Sequence, residues 1–169
     1  ILDDELLDPS TTAMAVAGVR FERSDLASDA VTWDDYYLYL TAAGDDDSGS
    51  DIWFARSRDQ GETWEPAYII AEVTQPDRNY AAPRIAYGFG TFVHVVWEMR
   101  NDDPALDDAV RHRRADEYAD LGLAAWDAVE LLTTFTDGID DRSPVIGVAE
   151  AGYEVGIAHS RLIDGTFLD

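Results

Sequence analysis

The strongest constraint on the fold is that this chain repeats itself. Ala82-Pro83-Arg84-Ile85-Ala86-Tyr87-Gly88 and Ser143-Pro144-Val145-Ile146-Gly147-Val148-Ala149 are two versions of one segment. Each is followed within a few residues by an alternating run, Phe92-Val93-His94-Val95-Val96-Trp97 and then Tyr153-Glu154-Val155-Gly156-Ile157-Ala158-His159. Pro83 and Pro144 stand 61 positions apart and Trp64 and Trp126 stand 62 apart, so the two markers keep step. Asp29-Ala30-Val31-Thr32-Trp33, followed by Tyr36-Tyr37-Leu38-Tyr39-Leu40, reads as an earlier and more degenerate copy.

Helical periodicity is scarce between these landmarks. Short runs of β-branched and aromatic residues are split by Gly, Asp, Asn, Pro and Ser, the pattern of strands and turns. Strands are expected at Tyr36–Thr41, Asp51–Arg56, Ala67–Ala71, Arg84–Tyr87, Thr91–Glu98, Ala109–Arg113, Ala128–Leu132, Val145–Ala149 and Tyr153–His159, with a longer, less regular one at Thr12–Glu22. A repeat near 60 residues that holds about four strands is the period of a propeller blade, whereas a sandwich has no reason to repeat its sequence. The expected fold is all-β: β-propeller blades of four antiparallel strands, about three per chain, in a single partial domain over residues 1–169. The blades are placed at 28–71, 81–132 and 143–169, the last with a third strand at Thr166–Asp169 and completed by the outer strand 12–22 of the same chain or of another copy. Rings typically need about four to eight blades, and an open arc leaves edges and apolar faces uncovered. Two explanations follow: a homo-dimer closing a six-bladed ring about a two-fold axis, or a piece of a longer protein.

Charge narrows the partners. There are 35 acidic residues against 12 basic ones, all of the latter arginine, for a net charge of −23. Such a surface repels itself in dilute buffer and is tolerated where salt screens it. That points to a salt-adapted protein, secreted or at the cell surface of a halophilic microbe. The same charge disfavours nucleic acid and anionic membranes, and no stretch is long and apolar enough for a membrane helix. Without cysteine there is neither a disulfide framework nor a thiolate metal site. Ile1-Leu2-Asp3-Asp4-Glu5 has neither the basic head nor the apolar run of a signal peptide, and the lack of an initial Met suggests processing or excision.

One motif has a mechanism attached. Ser57-Arg58-Asp59-Gln60-Gly61-Glu62-Thr63-Trp64 has the form S-x-D-x-G-x-T-W, set between two strand-like runs. Asp59 can accept hydrogen bonds from turn amides, Gly61 permits a positive φ, Ser57 and Thr63 add short hydroxyls, and Trp64 offers a large ring for packing between sheets. This segment resembles the Asp box, or BNR repeat, of the sialidase-like β-propeller family at every defined position. A degraded second box, Asp120-Leu121-Gly122-Leu123-Ala124-Ala125-Trp126, keeps Asp120, Gly122 and Trp126 with one extra residue, and Tyr118 stands where the serine would be. The resemblance implies a hairpin turn between a blade's third and fourth strands, on the ring face away from the ligand site. On that reading Asp59 is structural.

Ligands are then expected at the opposite end, in the loops after even-numbered strands. The candidates there are Arg78, Tyr80, Arg142 and Arg161. The resemblance also implies an enzymatic alternative, because sialidases hold a substrate carboxylate with three arginines and use a tyrosine nucleophile assisted by a glutamate, with an aspartate as acid/base. Arg84 resembles the family's F/Y-R-I-P arginine but lacks the flanking aromatic and proline and follows an Asp box, so a structural role is expected. Asp45, Asp46 and Asp47 form a hard-oxygen loop without EF-hand spacing, better read as solvated acid than as a calcium site. His94 and His159 hold comparable strand positions near the channel but lack a third ligand for zinc. Arg111-His112-Arg113-Arg114 should divide between strand faces and pair with nearby carboxylates. No cofactor is expected. Two functions remain: a non-catalytic, self-assembling propeller module that binds a glycan or protein, or a sialidase-like glycoside hydrolase complete only as an oligomer or within a longer chain.

Overall fold

Alternating side chains and frequent turn residues produce eleven strands and no α-helix among the described residues. The structure, a computed structural model, describes residues 20–30, 36–46, 49–59, 62–75, 77–88, 92–102, 107–116, 125–133, 139–148, 155–163 and 166–168. The first sheet is a four-stranded meander of β1 (Arg20–Ala30), β2 (Tyr36–Asp46), β3 (Gly49–Ser57) and β4 (Tyr68–Ala71). The second repeats that order with β5 (Arg78–Gly88), β6 (Phe92–Asn101), β7 (Ala109–Asp116) and β8 (Glu130–Leu131). The third holds β9 (Ile139–Val148), β10 (Val155–Ile163) and β11 (Thr166–Leu168), with β10 in the middle. Every pairing is antiparallel between strands consecutive in sequence.

The backbone keeps the period of the sequence more faithfully than the side chains do. In β5, Ala82 and Pro83 fall between the pairs Ala81↔Glu98 and Arg84↔Val96, so two residues oppose Trp97. In β9, Ser143 and Pro144 likewise oppose His159. Ala82 and Ser143 have φ of 48° and 52°, the only positive values outside glycine among the described residues. A left-handed residue inside a strand makes a β-bulge, which bends and twists the strand, and proline fits there because a bulge breaks the ladder. β1 carries the same irregularity at Glu22, between Phe21↔Gly44 and Arg23↔Ala43. Glu22, Pro83 and Pro144 are evenly spaced by 61.

This frame differs from the sequence reading at the N-terminal end. The first sheet begins at Arg20, not Ser28, and the first copy of the bulged strand is Arg20–Ala30, upstream of Asp29–Trp33. Within Thr12–Glu22, expected to complete the third blade, residues 20–22 instead belong to β1 and pair with β2, and 12–19 lie outside the described residues. Glu22 has no proline to mark its bulge, and Trp33 supplied a false landmark.

The sheets pack face to face. Tyr39, Ala43, Ile52, Phe54 and Ile70 of the first sheet and Ile85, Val93, Val95 and Trp97 of the second form one core, with Trp126 inserted. Tyr39 stacks on Tyr87 at 5.6 Å and 15°, and Trp126 meets Phe54 edge-on at 5.0 Å. The Trp126 indole donates to the Tyr68 hydroxyl at 3.0 Å, which satisfies a buried N–H. Burial pushes the Tyr68 phenol up to about 12, so it stays protonated. The opposite face of the second sheet meets β9 of the third, as described below.

Two substitutions test this core by denaturant unfolding in high salt. Phe54→Ala removes a fully buried ring and is expected to cost about 3–5 kcal/mol. Tyr68→Phe keeps the ring but strands the Trp126 N–H, for an expected loss of about 1–3 kcal/mol.

Candidate functional site

The turn after β3 is held by its own residues. The Ser57 hydroxyl and the Thr63 amide both donate to Asp59 Oδ1 at 2.8 Å, and the Thr63 hydroxyl donates to Oδ2 at 2.5 Å. The Glu62 amide closes onto the Asp59 carbonyl at 3.3 Å. Thr63 first, then Ser57, hold the Asp59 carboxyl below its ordinary value. Glu65 then locks the outgoing strand: its amide donates to the Arg56 carbonyl at 2.8 Å, and its carboxylate accepts from Arg56 at 3.0 Å and Arg58 at 2.5 Å. Burial opposes ionisation of Glu65, but the two arginines outweigh it and lower its pKa. Trp64 packs on Leu40, Ala42 and Ala55, on the face of the first sheet turned from the second. Both Asp59 oxygens are thus engaged within the turn. Gly61, Asp120 and Gly122 lie outside the described residues. Trp126, expected as the tryptophan of a degraded second box, sits in the core between the first and second sheets.

The loops after β2, β4, β6, β8 and β10 share the other end of the meanders, where Arg78, Tyr80, Arg142 and Arg161 were expected. Arg142 and Arg161 fall on neighbouring strands and are both engaged. Arg142 donates to Asp108 at 2.7 Å and to Asp140 at 3.2 Å, and Arg161 donates to Asp141 at 2.8 Å. Arg78 lies 3.8 Å from the Met99 sulfur, and Tyr80 meets Trp97 edge-on at 5.9 Å. No triad of open guanidiniums is formed by these residues among those described. Asp45 and Asp46 pair with Ser50 and Gly49 across β2 and β3, while Asp47 lies outside the described residues. No group of metal-binding side chains occurs among the described residues.

The network around these arginines rests on three buried carboxylates: Glu98, Asp108 and Asp141. Glu98 accepts the Ser143 amide at 2.6 Å and Arg100 at 2.7 Å, linking β6 to the bulge of β9. Asp108 accepts the Asn101 amide at 2.9 Å as well as Arg142, and its own amide donates to Asp140 at 3.0 Å. Burial raises the Asp108 pKa against the pull of these donors. Asp141 accepts Arg161 and lies 3.1 Å from His159 Nε2. Glu98 was missed as part of this network, although one acid inside the apolar run Val93–Met99 is an unusual burial.

His94 stacks on His112 of the neighbouring strand, with rings 5.3 Å apart and 15° from parallel. His94 Nδ1 lies 3.1 Å from His112 Nε2, and His112 Nδ1 lies 3.1 Å from Glu130 Oε2. A proton on His112 Nδ1 would face Glu130 and leave His112 Nε2 to accept from His94 Nδ1. Burial first, then His112 and Arg114, depress the His94 pKa to about 4.

No protein-family model matches this chain, and a search of curated proteins gave no match.

Two predictions follow from these sites. Asp59→Ala should lower the melting temperature, and Asp59→Asn, which keeps one acceptor oxygen, should recover part of the loss. For His94, the unfolded chain takes up a proton near pH 6.5 and the folded chain only near 4. Between those values the unfolded state binds more protons, so stability falls as pH is lowered. The contribution is complete above the upper value, and on the order of 3 kcal/mol is lost by the lower one. The checking measurement is the difference in unfolding free energy between the natural chain and His94→Gln across this window at constant high salt. That difference should shrink with falling pH.

Proposed function

We propose that this chain is a non-catalytic Asp-box β-propeller module, salt-adapted, that completes its ring by self-association and binds a glycan or protein ligand. The observation that carries the reading is the turn at Ser57–Thr63: the motif's serine, aspartate and threonine hydrogen-bond one another between the third and fourth strands of a four-stranded meander. A self-satisfied carboxylate fits a folding element and suits no acid, base or nucleophile. The evenly spaced inner-strand bulges support successive blades built on one plan.

Two further features support the rest. Arg142 and Arg161 are neutralised by Asp108, Asp140 and Asp141, which leaves a sialidase-like arginine triad without its open cations. The third sheet has three strands among the described residues, Val145 is 54% exposed, and a methyl group added at Gly147 would meet nothing within 4 Å. An uncovered, small-residue face of this kind suits a second sheet as its cover.

The test is molar mass by light scattering in molar salt and in dilute buffer. A mass near twice 18.7 kDa is expected in high salt, with dissociation or unfolding in dilute buffer. A monomer under both conditions would reject the assembly. A sialoside assay on the same sample should show no turnover above buffer, and turnover would favour the hydrolase reading instead.

A further inference from the structure

β7 places Arg111 and Arg113 two positions apart, so both side chains leave the same face of the second sheet. Their ladder partners on β6 are Trp97 and Val95, which belong to the core shared with the first sheet. The two guanidiniums therefore point toward the first sheet, while His112 and Arg114 point away from it. Arg114 follows the sequence expectation and pairs with Asp127 at 2.7 Å. Arg111 and Arg113 do not: neither forms an ion pair among the described residues. Among the described residues the hydrogen bonds of Arg113 go to backbone carbonyls, those of Asp127 and Ile70, and its charge is favoured by Tyr68 and Asp127 without an ion pair. The Nε of Arg111 is buried and has no hydrogen-bond partner.

Both arginines line a cleft of about 250 Å³ between the outer strands of the first two sheets. Its walls include Ile69 of β4, Val129 just before β8, and Tyr80. Glu72 is the one carboxylate on the lining, is exposed, and pairs with neither arginine. This is anomalous in a chain with 35 acidic residues. A buried guanidinium donor without an acceptor is costly, and an isolated cation facing a cleft is the arrangement that an anionic ligand relieves. The apolar walls add a second requirement, because inorganic phosphate or chloride would leave Ile69 and Val129 facing a charge. The volume lies below the usual range for drug-sized ligands, so the occupant is small.

We propose that this cleft binds a small aliphatic carboxylate, its anionic end on Arg111 and its apolar end against Ile69 and Val129. The inference is independent of ring closure, since the cleft lies wholly within one chain.

The test is titration calorimetry of the full chain with sodium butanoate in molar KCl, paired with melting curves. Saturable binding and a raised melting temperature are expected, whereas butan-1-ol and inorganic phosphate should bind at least tenfold more weakly. Arg111→Leu should weaken butanoate at least tenfold while leaving the ligand-free melting temperature unchanged or higher, since it removes a half-buried guanidinium whose Nε has no acceptor. Val129→Glu, at a partly exposed site, offers Arg111 an internal carboxylate and should abolish binding while raising the melting temperature. The proposal is overturned if the natural chain shows no saturable binding, if either variant binds as well as the natural chain, or if phosphate binds as tightly as butanoate. Binding that is absent in the natural chain and appears in Glu72→Gln would also overturn it, because Glu72 would then be the internal counter-ion.

Discussion

A four-stranded antiparallel sheet with apolar residues on both faces must be covered on both sides, and each sheet here depends on its neighbour for that cover. The first and second sheets meet through rings and branched aliphatics: Tyr39, Phe54 and Ile70 against Val93, Val95 and Trp97. Burial of this kind is non-directional and roughly proportional to area, so it sets the distance between sheets more than their registration. Directional contacts register them. The Trp126 to Tyr68 hydrogen bond and the Tyr39–Tyr87 stack each cross from one sheet to the next and fix which strand faces which. The bulges complete the arrangement by twisting the first strand of each sheet at one constant position.

The junction between the second and third sheets is chemically different. In place of rings it has Glu98, Asp108 and Asp141, all buried and all given backbone or arginine donors. Removing one partner from such a group is far costlier than the net worth of the pair. The junction is therefore specific before it is strong: Glu98 reaches the Ser143 amide only because the bulge turns that amide toward β6. Arginine suits this role better than lysine, since its planar fork meets carboxylates in a fixed geometry and is less strongly hydrated. The absence of lysine thus has a structural reading beside the environmental one. Exposed acids tolerate strong screening, while buried acids at the sheet junction need a partner whose charge cannot be lost.

What was legible in the sequence follows the range of the interactions. The strand runs and the two proline-marked segments are local patterns, and β2 to β11 each overlap a run where a strand was expected. The start of the first sheet was not legible, because its frame is set by pairing with β2 and Glu22 is an unmarked bulge. The His94–His112 contact depends on the β6–β7 register, which places Val96 opposite His112 and leaves His94 on the diagonal; spacing along the chain contains no such information. The division of Arg111-His112-Arg113-Arg114 between faces was legible from alternation alone. Which arginines would find carboxylates was not, since that depends on what the neighbouring sheet presents. For Arg111 and Arg113 it presents Ile69 and the carbonyl of Ile70.

These observations separate scaffold from chemistry. The features that recur with the period, namely the bulge in the first strand of each sheet, the meander order and the tryptophans Trp64 and Trp126, serve the packing of one sheet on the next. Among the described residues the unusual groups occur once: a stacked histidine pair tied to Glu130, a buried glutamate joined to a strand of another sheet, and two arginines in no ion pair. None of them lies in the conspicuous turn motif. A repeat protein conserves its architecture by holding the same positions in every copy, so those positions are poor places for a single specific function. The spaces between sheets are free of that constraint, because each junction is lined by two different copies. In this chain the first junction is an aromatic and aliphatic core with an arginine-lined cleft beside β4 and β7, and the second is a carboxylate network. The same backbone plan thus carries two distinct electrostatic environments within one short run of strands.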